Sequence, residues 1–117
     1  MHIQTIWSCD ANGNPKEVFL KSSENYYWRV RIYDGNGQPV AGASVTSRLY
    51  RPGNYPNTVW ATSTATTDAT GVAAFSRTHK SNDLVGTYTT DVSAVTKSGM
   101  TYDPGANLQN TDTFQVQ

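Results

Sequence analysis

The chain has 117 residues, enough for one modest two-layer core, whereas two domains would each be short of buried surface. Nine Lys plus Arg balance nine Asp plus Glu, which leaves no electrostatic footprint for nucleic acid or an anionic membrane. Charged residues make up only 15% of the chain, and Thr, Ser, Asn, Gly and Tyr take their place, a composition suited to strands joined by tight turns.

In chain order, Met1-His2-Ile3-Gln4 lacks the basic and apolar regions of a signal peptide, so any export signal is expected outside this sequence. Met1 and His2 are given no structural weight. Ile3-Gln4-Thr5-Ile6-Trp7 is expected to form the first strand. Cys9 is the single cysteine, so no internal disulfide can form. Tyr26, Trp28, Val30 and Ile32 alternate with Tyr27, Arg29, Arg31 and Tyr33, which predicts a strand with one buried face. Asp34-Gly35-Asn36-Gly37 is a strong turn signal, because Gly and Asn accept positive φ at low cost.

Ala43, Val45, Ser47 and Leu49 then alternate with Ser44, Thr46, Arg48 and Tyr50. Residues 51–56 carry two prolines, which rule out a central strand and predict a loop. Asp68-Ala69-Thr70-Gly71 is another turn, and Ala73 with Phe75 points one way from a short strand. Gly86 opens a strand in which Tyr88, Thr90 and Val92 share a face. Val92 and Val95 cannot share that face without an inserted residue, so a bulge is predicted between them. Ser98-Gly99 breaks this strand, Asp103-Pro104-Gly105 begins a loop, and Phe114 with Val116 closes the chain. Helical periodicity is nearly absent, and no apolar run approaches membrane-spanning length. About seven short strands with turns at this spacing fit a two-sheet antiparallel β-sandwich in a single domain, residues 1–117.

Four segments lie inside a pattern of known modules. Asp34-Gly35-Asn36-Gly37-Gln38-Pro39-Val40-Ala41-Gly42-Ala43-Ser44-Val45 resembles a "D-x-x-G-x-P-V-x-G-A-x-V" segment. Thr67-Asp68-Ala69-Thr70-Gly71-Val72-Ala73-Ala74-Phe75 resembles "T-D-x-x-G-x-A-x-F". Gly86-Thr87-Tyr88 is similar to a "G-T-Y" strand opening, and residues 95–103 to "V-T-x-x-G-x-x-Y-D". In this order they resemble the immunoglobulin-like, Big-type modules of bacterial and archaeal cell-surface and secreted proteins. The resemblance implies an immunoglobulin-like sandwich, an extracellular location, and a spacer or adhesive role beside neighbouring domains of a longer chain. It carries no catalytic residues and implies no cofactor.

No Gly-x-Ser-x-Gly is present, and nothing in the sequence sets a serine beside a base, so His79 is expected as a solvated loop residue and the chain as a non-enzyme. Asp10-Ala11-Asn12 and Asp34-Gly35-Asn36 begin like calcium loops but lack the far Glu, and turn chemistry explains both; Asp103 with Asn107 is a thinner alternative. Lys21 with Asn107 or Asn110 is the only suggestive pair for a Lys–Asn cross-link, and a solvated Lys21 is the preferred reading. Carbohydrate binding, as an accessory module of a secreted hydrolase or protease, is the rival function. Its candidate contacts are Tyr50, Tyr55 and Trp60, set around the proline-rich loop, for a glycan or a protein surface. The competing reading is that these rings cover the end of the core. Neither nucleic acid nor membrane insertion is expected, and the chain is expected as a monomer. A spacer role further predicts termini at opposite ends of the sandwich.

Overall fold

The computed structural model describes residues 1–117 as eight strands and one short 3-10 turn, Pro104–Ala106. The strands are β1 (His2–Cys9), β2 (Val18–Phe19), β3 (Tyr26–Tyr33), β4 (Ser44–Tyr50), β5 (Ala61–Thr66), β6 (Val72–Arg77), β7 (Gly86–Thr96) and β8 (Thr111–Val116). They form two sheets, of order β1-β3-β6 and β2-β8-β7-β4-β5. All pairings are antiparallel except β2 with β8, which is parallel.

The inward faces of both sheets build one core. Strict alternation in β3 buries Tyr26, Trp28, Val30 and Ile32, while Ile3, Ile6, Ala73 and Phe75 join them from β1 and β6. Val45, Leu49, Tyr88, Val95, Phe114 and Val116 face them from the second sheet. A hydrogen-bonded bridge crosses this core. The Trp28 indole Nε1–H donates to Ser47 Oγ at 2.9 Å, and the Ser47 hydroxyl donates to the Asp91 carbonyl at 2.7 Å. Both side chains are buried, so each polar atom has a partner where water cannot supply one. At one pole the core is aromatic: Phe19, Tyr26, Tyr88 and Phe114 pack with ring centroids 5.2–5.7 Å apart.

The bulge expected between Val92 and Val95 is present. Thr46 pairs with Ala94 and Ser47 with Val92, so Ser93 is the extra residue, and both valines pack against the core. Two strands differ from expectation. β2 exists because Phe19 alone reaches the core. β5 buries only small residues, so its inward face carries little apolar signal. The strand count is therefore eight rather than about seven. Met1 and His2 are not loose ends: His2 pairs with Tyr33, the Met1 ammonium donates to the Thr101 carbonyl, and the Asp103 N–H donates to the Met1 carbonyl.

The turn signals share one structure, used three times. In Asp10–Asn14, Asp34–Gln38 and Asp68–Val72, the Asp Oδ1 accepts N–H bonds from the second and fourth residues onward. In each, the glycine three residues on donates to the Asp carbonyl, and the Asp N–H donates to the fourth residue's carbonyl. At the third turn Gly71 has φ 80° and lies so close to the neighbouring chain that a Cβ would sit 2.6 Å from the Ile32 carbonyl oxygen. These bonds favour the ionised carboxylate, and they hold Asp10 and Asp34 below the usual Asp range; at Asp68 the Thr70 hydroxyl is the largest cause.

The open edge of β1 is closed by side chains rather than by a strand. The N–H groups of Ile3, Ile6 and Ser8 donate to Asn107 Oδ1, Gln109 Oε1 and Asp112 Oδ2, at 2.7, 3.1 and 2.9 Å. Gln109 Nε2 returns a bond to the Ile6 carbonyl at 2.6 Å. Edge donors that would otherwise template another strand are thereby satisfied. The molecule measures 43 × 30 × 20 Å.

Candidate functional site

The aromatic trio Tyr50, Tyr55 and Trp60 lies at the pole formed by residues 51–60 and 78–86. Gly86, at the start of β7, packs so near Pro52 that a Cβ there would approach the proline ring to 3.2 Å, so the two loops abut.

Tyr50 points to the outer side of its sheet, in phase with Arg48, yet it is only 1% exposed. Three neighbours bury it. Tyr55 from the loop packs edge-on at 4.9 Å, Arg48 lies 5.8 Å from the ring centroid, and the Tyr50 hydroxyl donates to Asp91 Oδ2 at 3.0 Å. Arg48 grips the same carboxylate with two bonds, Nε to Oδ1 at 2.8 Å and Nη2 to Oδ2 at 2.7 Å. Burial pushes the Tyr50 phenol up, and its bond to Asp91 adds to that. The Tyr50 ring is therefore enclosed and its hydroxyl engaged, as in the reading that these rings cover the end of the core.

Trp60 is half-buried and seals the end of the core, with its ring 5.9 Å from Tyr88. Two guanidinium groups stack on it, Arg77 at 3.9 Å and Arg51 at 4.4 Å from the ring centroid. Such cation–aromatic contacts contribute roughly 0.5–2 kcal/mol each, more as water is excluded. Neither arginine has a carboxylate partner, and the Nε of each is buried without an acceptor. Of the trio, Tyr55 is the most exposed, at 37%, and exposed Val59, Leu84 and Val85 also belong to these two loops and the residue before β7.

Beneath them lies a residue that the sequence reading did not single out. Asp83 is 1% exposed, and its Oδ2 accepts from the Tyr26 hydroxyl at 2.7 Å and from the Lys80 N–H at 2.9 Å. Burial, reinforced by this carboxylate, pushes the Tyr26 phenol well up. Asp83, Asp91, Arg48, Arg51 and Arg77 thus complete the pole. The alternation in β4 marks Arg48 as outward, but only the fold brings it to Asp91.

The other sequence candidates occupy separate places. His79 is part-buried rather than solvated: its Nδ1 lies 2.7 Å from Asn25 Oδ1, which also accepts the His79 N–H. His2 Nε2 lies 3.4 Å from Gln4 Oε1. The Asp10 and Asp34 carboxylates face their own turn amides, and Asp103 Oδ1 accepts from Gly105 N–H. Asn107 gives its oxygen to Ile3 and its amide nitrogen to Tyr102 and Asn110. No group of three or more His, Cys, Asp or Glu side chains converges. The Lys21 N–H donates to the Gln117 carbonyl at the pole where β2 and β8 end, whereas Asn107 caps the first residues of β1 at the far pole, so that pair is not brought together. Cys9 is fully buried, and burial pushes its thiol up. Comparison with protein-family models and with curated proteins returns no match to this chain.

Proposed function

We propose that this chain is an immunoglobulin-like module serving as a non-catalytic structural or adhesive unit of a secreted or cell-surface protein, in contact with neighbouring domains of the same chain. The observation that carries the reading is the path of the polypeptide. Met1 lies beside Thr101 at one pole, and Gln117 lies beside Phe19 and Lys21 at the other, so the chain enters and leaves at opposite ends of the long axis. Copies joined end to end would extend rather than fold back.

Topology adds support. The N-terminal segment starts antiparallel to β3 in one sheet and then, as β2, pairs parallel to β8 in the other. Two largely antiparallel sheets packed over one core are what the immunoglobulin-like reading calls for, and β7 occupies the centre of the larger sheet. The pole where the chain leaves carries the exposed rim of Tyr55, Val59, Leu84 and Val85, suited to contact with an adjoining domain.

The test is a tandem of two copies joined directly, measured by small-angle X-ray scattering. A maximum dimension near twice the 43 Å length supports the spacer reading. A compact, side-by-side pair refutes it.

A further inference from the structure

We infer that the outer face of the three-stranded sheet carries a binding groove for a short neutral oligosaccharide, with Tyr27 as its platform. The inference goes beyond the spacer reading, which requires no ligand.

Two concavities of about 310 and 200 Å³ adjoin there, and both are lined by Asp10, Ala11 and Tyr27. The larger lies within the roughly 300–1,000 Å³ of small-molecule sites, and the smaller extends it. Tyr27 is half-buried at the junction, between a side lined by Asn25 and the Lys16–Glu24 pair and a side lined by Arg29, Ala74 and Ser76. The groove is held open by bonds that do not involve a ligand. Lys16 Nζ meets Glu24 Oε1 at 2.8 Å, Glu24 Oε2 accepts the Leu20 N–H, and Asp10 is tied into its turn. Asn25 gives its oxygen to His79, which leaves its amide nitrogen as a fixed donor.

The lining selects the ligand class. Its charged groups are two of each sign, Lys16 and Arg29 against Asp10 and Glu24, so a polyanion gains no net attraction. An aromatic ring among planar amide, carboxylate and hydroxyl groups matches a sugar ring, which offers an apolar C–H face and a rim of hydroxyls. A purely apolar ligand would strand the Asn25 amide nitrogen and the Ser76 hydroxyl, which have no partner within the protein.

The experiment is a two-dimensional amide NMR titration of the isotope-labelled chain. The probes are cellohexaose, chitohexaose, xylohexaose and mannohexaose, with hexagalacturonate and a proline decapeptide as the charged and peptidic alternatives. The expected result is that at least one neutral hexasaccharide shifts the Asn25, Tyr27 and Ala74 resonances. Its affinity then falls by about tenfold or more in Tyr27→Ala and in Ala74→Gln, and stays within about threefold in Tyr27→Phe. Ala74 is exposed, so its substitution narrows the groove without opening the core. The proposal is overturned if no neutral probe moves those resonances at millimolar concentration. It is equally overturned if hexagalacturonate or the peptide binds there instead, or if Ala74→Gln binds as the parent does.

Discussion

Replacing Ser47 with Ala tests the inter-sheet bridge in the core. Ser47 is fully buried and Trp28 is 1% exposed, so water cannot reach the indole N–H once the hydroxyl is removed. An orphaned buried donor costs about 1–3 kcal/mol, and the lost bond to the Asp91 carbonyl adds about 0.5–1.5 kcal/mol. The expected loss is therefore about 1.5–4.5 kcal/mol, a large share of the roughly 5–15 kcal/mol that holds a domain folded. At this chain length it should appear as a Tm decrease of roughly 6–20 °C. Urea unfolding followed by far-UV circular dichroism measures it without relying on Trp28 fluorescence. The decisive step is a double-mutant cycle. In a Trp28→Phe background no N–H remains to be orphaned, so Ser47→Ala should cost about 1–3 kcal/mol less than it does in the parent. Equal costs in the two backgrounds, within about 0.5 kcal/mol, would refute the bridge as a source of stability.

Three further outcomes are expected. Gly71→Ala should destabilise by clearly more than Gly37→Ala: both residues have positive φ, at a cost of about 1–2 kcal/mol for a side chain, but only Gly71 would also press a Cβ against the Ile32 carbonyl; equal thermal shifts would contradict this. Asp91→Ala should cost about 1–3 kcal/mol in denaturant unfolding, because Arg48 and the Tyr50 hydroxyl lose their shared acceptor, while Tyr50→Phe costs about 1 kcal/mol; the reverse order would contradict the geometry. The Asp112 carboxyl is pushed up by burial, so its native-state stabilisation is fully present below the ordinary Asp value of 3.8 and is lost as pH rises through the raised folded value. Asp112→Asn keeps an acceptor for the Ser8 N–H and escapes that loss, so it should be the more stable protein at pH 7, with the difference closing below pH 3.8; a pH-independent difference in thermal unfolding would contradict the assignment.

The parts of the fold legible in the sequence are those where local alternation and core burial agree. β3 and β4 follow from period two, and the bulge at Ser93 follows from two valines, Val92 and Val95, that both need the core although the two residues between them would put them on opposite faces of a regular strand. β5 is not legible because Ala61, Ser63 and Ala65 fill its inward positions, and small side chains give almost no amphipathic contrast. β2 is held by a single inward residue, Phe19, and by the backbone of β8, neither of which leaves a local pattern.

The pole was legible as a place and not as a surface. Exposure of an aromatic ring depends on what folds over it, and some of those groups are far away in the chain: Asp91, 41 residues on, joins Arg48 and Tyr55 around Tyr50, and Arg77 from β6 joins Arg51 on Trp60. The Asp turns show the converse. In Asp10-Ala11-Asn12-Gly13 and Asp34-Gly35-Asn36-Gly37 the carboxylate meets amides only two and four residues on. A signal that closes within five residues is legible in the sequence, and both stretches form the turns it predicts. The groove around Tyr27 is lined from residue 10 to residue 76, so it comes into being only when β3 and β6 pair and the Asp10 turn packs beside them. No periodicity in β3 separates Tyr27 from Tyr33, which shares its outward phase; only the walls around Tyr27 make it the stronger candidate for contact.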